Sequence, residues 1–260
     1  STLQTVAGDC FSAQGQRGGC MSSMTSKLKE ISPRDVAKRL ATRALQAHLP
    51  VGSHSRHLFS AFYHLHIATR ESALWASRFF WFEPLFRSQC QAVGKRFRME
   101  QLPYVVGRGQ IVIGDNVRLS GKLSIIFSAR HCSQTAVSIG DGTFLGHNCA
   151  LTIASRLEIG RHCLIASGVR IADFDGHPID ALHRRRGDFV SSNRVLPVSI
   201  GDDVWIGNGA TILKGVTLGD RTIIGTRAVV THSVPADCIV VGNPAKIVKY
   251  LDTPSFSDEY

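Results

Sequence analysis

Between residues 198 and 249 an aliphatic side chain recurs at every sixth position: Ile200, Ile206, Ile212, Leu218, Ile224 and Val230. Glycine follows four of them, at Gly201, Gly207, Gly219 and Gly225. Four residues beyond each aliphatic stands a small or β-branched residue: Val204, Ala210, Val216, Thr222, Ala228 and Val234. An α-helix repeats its apolar face at 3.6 residues and a half-buried strand at 2, so neither satisfies a period of six. That period fits the coils of a parallel β-helix, where each short strand-and-turn unit buries its apolar residue only against the units stacked on it. The expected fold is an all-β solenoid preceded by an α-helical region.

The same period reaches back along the chain. Ile113, Leu119 and Ile125 are six apart, RHCSQTAVS interrupts, and Ile139, Leu145 and Leu151 resume. Two extra residues precede Ile159, Ile165 and Ile171. Between Ile171 and Ile200 the period fails, and the polar stretch DFDGHPIDALHRRRGDFVSSNRVLP reads as a projecting loop over 172–197. Loops on rigid scaffolds often carry function. The expected organisation is a flexible leader over 1–30, a basic and mainly helical region over 31–104, the β-helix over 105–249 and a polar tail over 250–260.

In the helical region Ser32 can cap, Pro33 suits a first turn, and Val36, Leu40, Ala44 and Leu45 share a face, with Pro50, Gly52 and Ser53 as the stop. A second helical stretch is expected over 56–83, with Leu58, Phe62, Leu65, Ala68 and Leu74 at workable spacings. Residues 73–89, ALWASRFFWFEPLFRSQ, are dense in aromatic rings. They either pack against the β-helix or a neighbouring subunit, or lie on a membrane surface with arginines at the headgroups.

The formal charge of +10 is uneven, because residues 1–104 hold 14 Lys and Arg against 6 Asp and Glu. Such asymmetry suits an anionic surface, and with no nucleic-acid motif present a membrane ranks above nucleic acid. Seven cysteines, an odd number without a C-x-x-C, indicate neither a disulfide framework nor a zinc site. Cys149 and Cys163 fall at the small, inward position of their hexapeptides. The N-terminus has no apolar signal core and nowhere do 18 apolar residues run together. A cytoplasmic protein is expected, with peripheral contact at the cytoplasmic face of the inner membrane as the alternative.

IGDDVWIG, GVTLGDRTIIG and GNPAK resemble the hexapeptide-repeat acyltransferases, and most of all the maltose, galactoside and nodulation-factor O-acetyltransferases and polysaccharide-modifying acetyltransferases. The resemblance is strongest over 139–249, weaker over 87–138 and absent over 1–70. It implies a left-handed parallel β-helix, acetyl-CoA as co-substrate without a metal, and a homotrimer with sites between subunits. It also implies a sugar or glycan hydroxyl, such as a polysaccharide precursor, as acceptor. GHP in the loop matches the family's general base at His177, and Asn208 of the W-I-G-x motif supplies the amide facing the acetyl group. Trp205, Asn208, Thr226, Thr231, His232, Lys246 and Lys249 line the acetyl-CoA cleft by the same resemblance, and Arg184 matches the arginine after the histidine.

One imidazole suits this chemistry. A histidine titrates near neutrality, takes the hydroxyl proton during attack on the thioester, and can return it to the departing thiolate. Asp175 is a candidate to orient it. Asp173 is assigned either that role or contact with the substrate. The rivals are an N-acetyltransferase of an amino or nucleotide sugar, a non-catalytic relative, and a metal-dependent enzyme. The last needs three converging histidines from among His147, His162, His177 and His183.

Overall fold

The computed structural model describes residues 33–49, 51–128 and 135–252. The expected leader, most of the tail, and Cys10, Cys20 and Cys132 lie outside these. The chain divides into two units between Phe59 and Ser60. In the first, α1 spans Pro33–Gln46, and its Leu40 and Leu45 are exposed. Helix α2, Ser53–Ser77, runs from the first unit into the second.

The second unit continues through a π-helical turn, Arg78–Phe82, into α3, Glu83–Gln89, with Pro84 in its first turn. The aromatic run divides there. Phe86 is only 1% exposed and stacks on Phe97 at a centroid distance of 5.7 Å, while Trp75, Phe79, Phe80 and Trp81 stay open to solvent.

Beyond α3 the chain winds into three sheets of six, eight and six strands among the described residues, parallel except for the last strand of the second. One turn of the solenoid shows the plan: Arg156–Ile159 on the first face, Leu164–Ile165 on the second and Arg170–Ala172 on the third. Each strand pairs in parallel with its counterpart one coil away, so Leu164 lies between Phe144 and Trp205. Strand alternation sends the hexapeptide aliphatics inward. Leu119, Leu145, Ile165, Ile206 and Ile224 form the buried row of the second face, and Ile125, Leu151, Ile171, Ile212 and Val230 that of the third.

The small positions fill the corners. Thr143 and Thr222 are fully buried there with their hydroxyls bonded to the Gly160 carbonyl and to the Gly219 and Pro235 carbonyls. Cys149, Cys163 and Cys238 are buried free thiols. Burial raises all three pKa values, that of Cys163 to about 11, so they are packing groups rather than nucleophiles.

The aspartate of each IGD or LGD unit ties one coil to the next. Asp115, Asp141, Asp202 and Asp220 accept the backbone N–H of Lys95, Asp115, Arg161 and Asp202 at 2.6–2.8 Å. The glycine at this turn position, including Gly160 ahead of Arg161, lets coils close. A Cβ on Gly160 would sit 2.3 Å from the Gly201 carbonyl oxygen.

One boundary differs from expectation. The first coil is built from Ala92–Val93, Arg98–Met99 and Tyr104–Val106, ahead of the expected start at 105. Val93, Met99 and Val105 do keep the six-residue period, but Lys95 replaces the aspartate that marks later turns. At the far end Cys238–Gly242 pairs antiparallel with Ala245–Tyr250, and GNPAK forms the turn. Among the described residues no helix is long and apolar enough to cross a membrane.

Candidate functional site

The long loop leaves the solenoid after the third-face strand Arg170–Ala172 and returns at the first-face strand Val198–Ile200. The ladder ignores it: Leu157 and Ile159 pair with Val198 and Ile200 in uninterrupted register. Two tethers fix its base. The Asp173 carboxylate, 1% exposed, accepts the N–H groups of Ala154 and Ser155 at 2.7 Å each. Burial raises its pKa even against those bonds. The second tether is Asp175, whose carboxylate meets Arg194 at 3.3 Å and also Lys214.

Both carboxylates therefore differ from their sequence assignments. Asp173 is a buried loop anchor with its oxygens occupied by backbone, so it is closed to substrate. Asp175 is held by two cations rather than by an imidazole. Arg184 too is engaged within the loop, donating to the carbonyls of Pro178 (3.0 Å) and Ile179. It braces the residues just after His177. Helix α4, Ala181–Arg186, is capped by Asp180, which accepts from Leu182 and His183 at 2.9 Å, and ends at Gly187 with φ +73°. The buried Val190 pins the return path.

His177 sits between these fixed points. Its ring is exposed and makes no hydrogen bond or ion pair among the described residues. Gly176, with φ +79°, precedes it, a backbone state that favours glycine.

The remaining candidates fall in two groups. Trp205, 52% exposed, lies on the second face in one outward row with Ile223, Ile239 and Lys249. Lys246 pairs with Val241 in the same closing hairpin. Asn208 and Thr226 occupy the corner between second and third faces, where the Asn208 carbonyl accepts the Arg227 N–H at 2.9 Å. The Asn208 N–H makes no hydrogen bond among the described residues. The second group stands at the corner between third and first faces, where the loop emerges. There Thr231 and His232 bond each other at 2.8 Å, one coil beyond Lys214. Within one chain the third face separates the groups.

The other histidines are dispersed. His147 bonds Ser120 at 2.9 Å, in a cluster where Ser120 also donates to Glu100, and His183 bonds Asp188 at 2.8 Å. His162 is in the left-handed region at a first-to-second corner, φ +56°. Among the described residues no three His, Cys, Asp or Glu side chains converge as a metal site. Sequence reasoning missed the Glu100–Ser120–His147 cluster, whose members come from three successive coils.

Comparison with known proteins agrees with this architecture. Residues 197–232 match the bacterial transferase hexapeptide (six repeats), and residues 136–172 match the hexapeptide repeat of succinyl-transferase. The chain is 35% identical over 115 residues to a Saccharomyces cerevisiae protein named as an acetyltransferase, covering 44% of this chain and 56% of that one. It is 30% identical over 116 residues to the galactoside O-acetyltransferase of Escherichia coli, covering 45% and 55%. The chain thus spans about half the length of these relatives. Among solved structures, AntD, an N-acyltransferase from Bacillus cereus, superposes with a TM-score of 0.53 at 20% identity, covering 65% of this chain and 88% of that one, a likeness of fold.

Two stretches of the chain carry the hexapeptide repeats that these family models describe, and its fold is the left-handed parallel β-helix with an N-terminal helical region.

Proposed function

We propose that this protein is an acetyl-CoA-dependent O-acetyltransferase acting on a hydroxyl of a sugar or glycan, with His177 as general base. The observation that carries the reading is a doubly tethered loop presenting one exposed, unengaged imidazole. Acetyl-CoA supplies the activated acyl carbon. His177 takes the hydroxyl proton as the C–O bond forms and the C–S bond breaks, and the thiolate gains that proton. The free Asn208 N–H is the donor for charge developing on the acyl oxygen. Trp205 offers an exposed face to the pantetheine arm. Thr226 lines the same cleft from this subunit, Thr231 and His232 line it from a neighbouring one, and Lys246 and Lys249 attract the phosphates.

His177 and Asn208 stand at different corners of one chain, which supports a homotrimer in which neighbouring subunits complete each site. Light scattering would then read three chains per particle. An amine acceptor could use the same base.

The test is thiol release from acetyl-CoA over a panel of sugars, nucleotide sugars and lipid-linked glycans, followed by hydroxylamine treatment of the product. Acceptor-dependent release and a hydroxylamine-labile acetyl group are expected. A stable product shifts the assignment to N-acetylation, and failure to bind acetyl-CoA removes the reading.

The exposed Trp75, Phe79, Phe80 and Trp81 beside Arg70 and the half-buried Arg78 support peripheral attachment to an anionic membrane, where lipid-linked glycans reside. Wild type is expected to float with phosphatidylglycerol vesicles and a Trp75→Ser/Trp81→Ser variant to stay behind. Equally poor flotation of both would remove the membrane from the reading.

A further inference from the structure

The outward row that carries Trp205 continues toward the first coil through Leu164, Phe144, Arg118 and Arg98, all in register. At about 4.8 Å per rung, Arg118 lies about 14 Å and Arg98 about 19 Å from Trp205 along the axis. Lys249 lies in the opposite direction on the same row. A ligand arm running from Trp205 to Lys249 would leave the Arg98 side open. On that side Arg96, Arg98, Asn116, Arg118, Phe144 and Leu164 line a depression of about 210 Å³.

Its charge is unbalanced. Arg96, Arg98 and Arg118 make no ion pair with a carboxylate among the described residues. Elsewhere on the corner between first and second faces the arginines are neutralised. Arg161 meets Asp202 at 2.7 Å, and Arg221 Nε donates to Asp237 at 2.5 Å. Arg96 repeats the Arg221 geometry, since both residues have left-handed φ and each reaches the left-handed residue of the next coil. Its partner is the neutral Asn116, at 2.6 Å, in place of an aspartate. The nearby Glu100 is turned to Ser120 Oγ and the Gly121 N–H.

Arg98 and Arg118 face each other directly across the ladder, an arrangement of like charges that costs stability. Arg118 is also oriented, its guanidinium 4.8 Å from the centre of the Phe144 ring. Stacked on a ring, its N–H edge stays available for a planar oxyanion. Three uncompensated guanidinium groups, two of them held in place, beside an apolar floor form an arrangement that an anion relieves.

We infer that Arg96, Arg98 and Arg118 form a subsite for the acidic group, carboxylate or phosphate, of an extended saccharide acceptor lying along the second face toward Trp205. This deepens the proposed function, on which its assignment to the acceptor rests. The separation of the subsite from Trp205 requires an oligosaccharide rather than a single sugar ring.

The experiment is calorimetric titration of the full chain, without acetyl-CoA, using tetragalacturonate, its neutral methyl ester and pentamannosyl phosphate. Wild type is expected to bind an acidic probe more tightly than the ester, and less tightly as salt rises. An Arg98→Gln/Arg118→Gln variant is expected to lose about tenfold or more of that affinity, and Arg98→Lys/Arg118→Lys to recover part of it. Preference between tetragalacturonate and pentamannosyl phosphate identifies the acidic group. The subsite is overturned if no acidic probe exceeds the ester, or if the Gln variant, with unchanged melting temperature, binds like wild type. Arginine-dependent binding without acetyl transfer to any acidic glycan would leave the subsite standing and remove the proposed activity. Transfer that is indifferent to the arginines would do the reverse.

Discussion

Replacing His177 with alanine is expected to lower acceptor-dependent acetyl transfer by about 10²–10⁴-fold, the usual contribution of a positioned general base, while acetyl-CoA still binds. The structure makes this substitution clean. The ring is exposed and has no partner among the described residues, so its removal opens no cavity and orphans no polar group. The melting temperature should therefore stay at the wild-type value. Comparison with Asp175→Ala sharpens the result. That change frees Arg194 and Lys214 from a loop tether, so it should loosen the loop and lower kcat by less than loss of the base itself. Transfer that survives His177→Ala undiminished would move the chemistry elsewhere.

Gly160→Ala is expected to be strongly destabilising through close contact alone. The new Cβ would meet the Gly201 carbonyl oxygen at 2.3 Å and its carbon at 2.5 Å, both backbone atoms of the next coil. Neither can swing aside as a side-chain end can, so the two coils must separate where Arg161 N–H reaches Asp202. Overpacking of this kind costs about 1–3 kcal/mol and sometimes more, roughly several degrees in melting temperature. Gly176→Ala is the control. Nothing lies within 4 Å of its Cβ, and the strain comes only from φ +79°, so about 1 kcal/mol is expected. Thermal unfolding of the two variants should rank them in that order, and equal melting temperatures would contradict the close-contact argument.

The solenoid was legible because a six-residue period states directly which residue of each strand points inward. The buried rows through Ile165 and Ile171 are the rows the spacing names. The loop was legible as a failure of that period. Its internal bonding was not, because the partners come from elsewhere in the fold. Asp173 reads as a polar loop residue next to GHP, yet it is a buried anchor. Its donors, Ala154 and Ser155, are the two extra residues between Leu151 and Ile159 that the spacing revealed without a reason. Asp175 likewise meets Lys214, 39 residues away. The first coil is hard to read in the sequence because Lys95 stands where most later turns carry aspartate, although Val93, Met99 and Val105 keep the period. That substitution of charge also leaves the arginine cluster of the second face unbalanced.

A stack of like coils has no natural length, because each terminal strand is a template for another. This chain ends its longest ladder with a reversal: Ala245–Tyr250 runs antiparallel to Cys238–Gly242 and carries Lys246 and Lys249. A parallel strand from another molecule would find the wrong direction there and a positive charge. At the other end Phe86 is buried against Phe97, beside the first coil. The longest ladder thus uses the repeating backbone geometry of a fibre and still turns its own end back on itself.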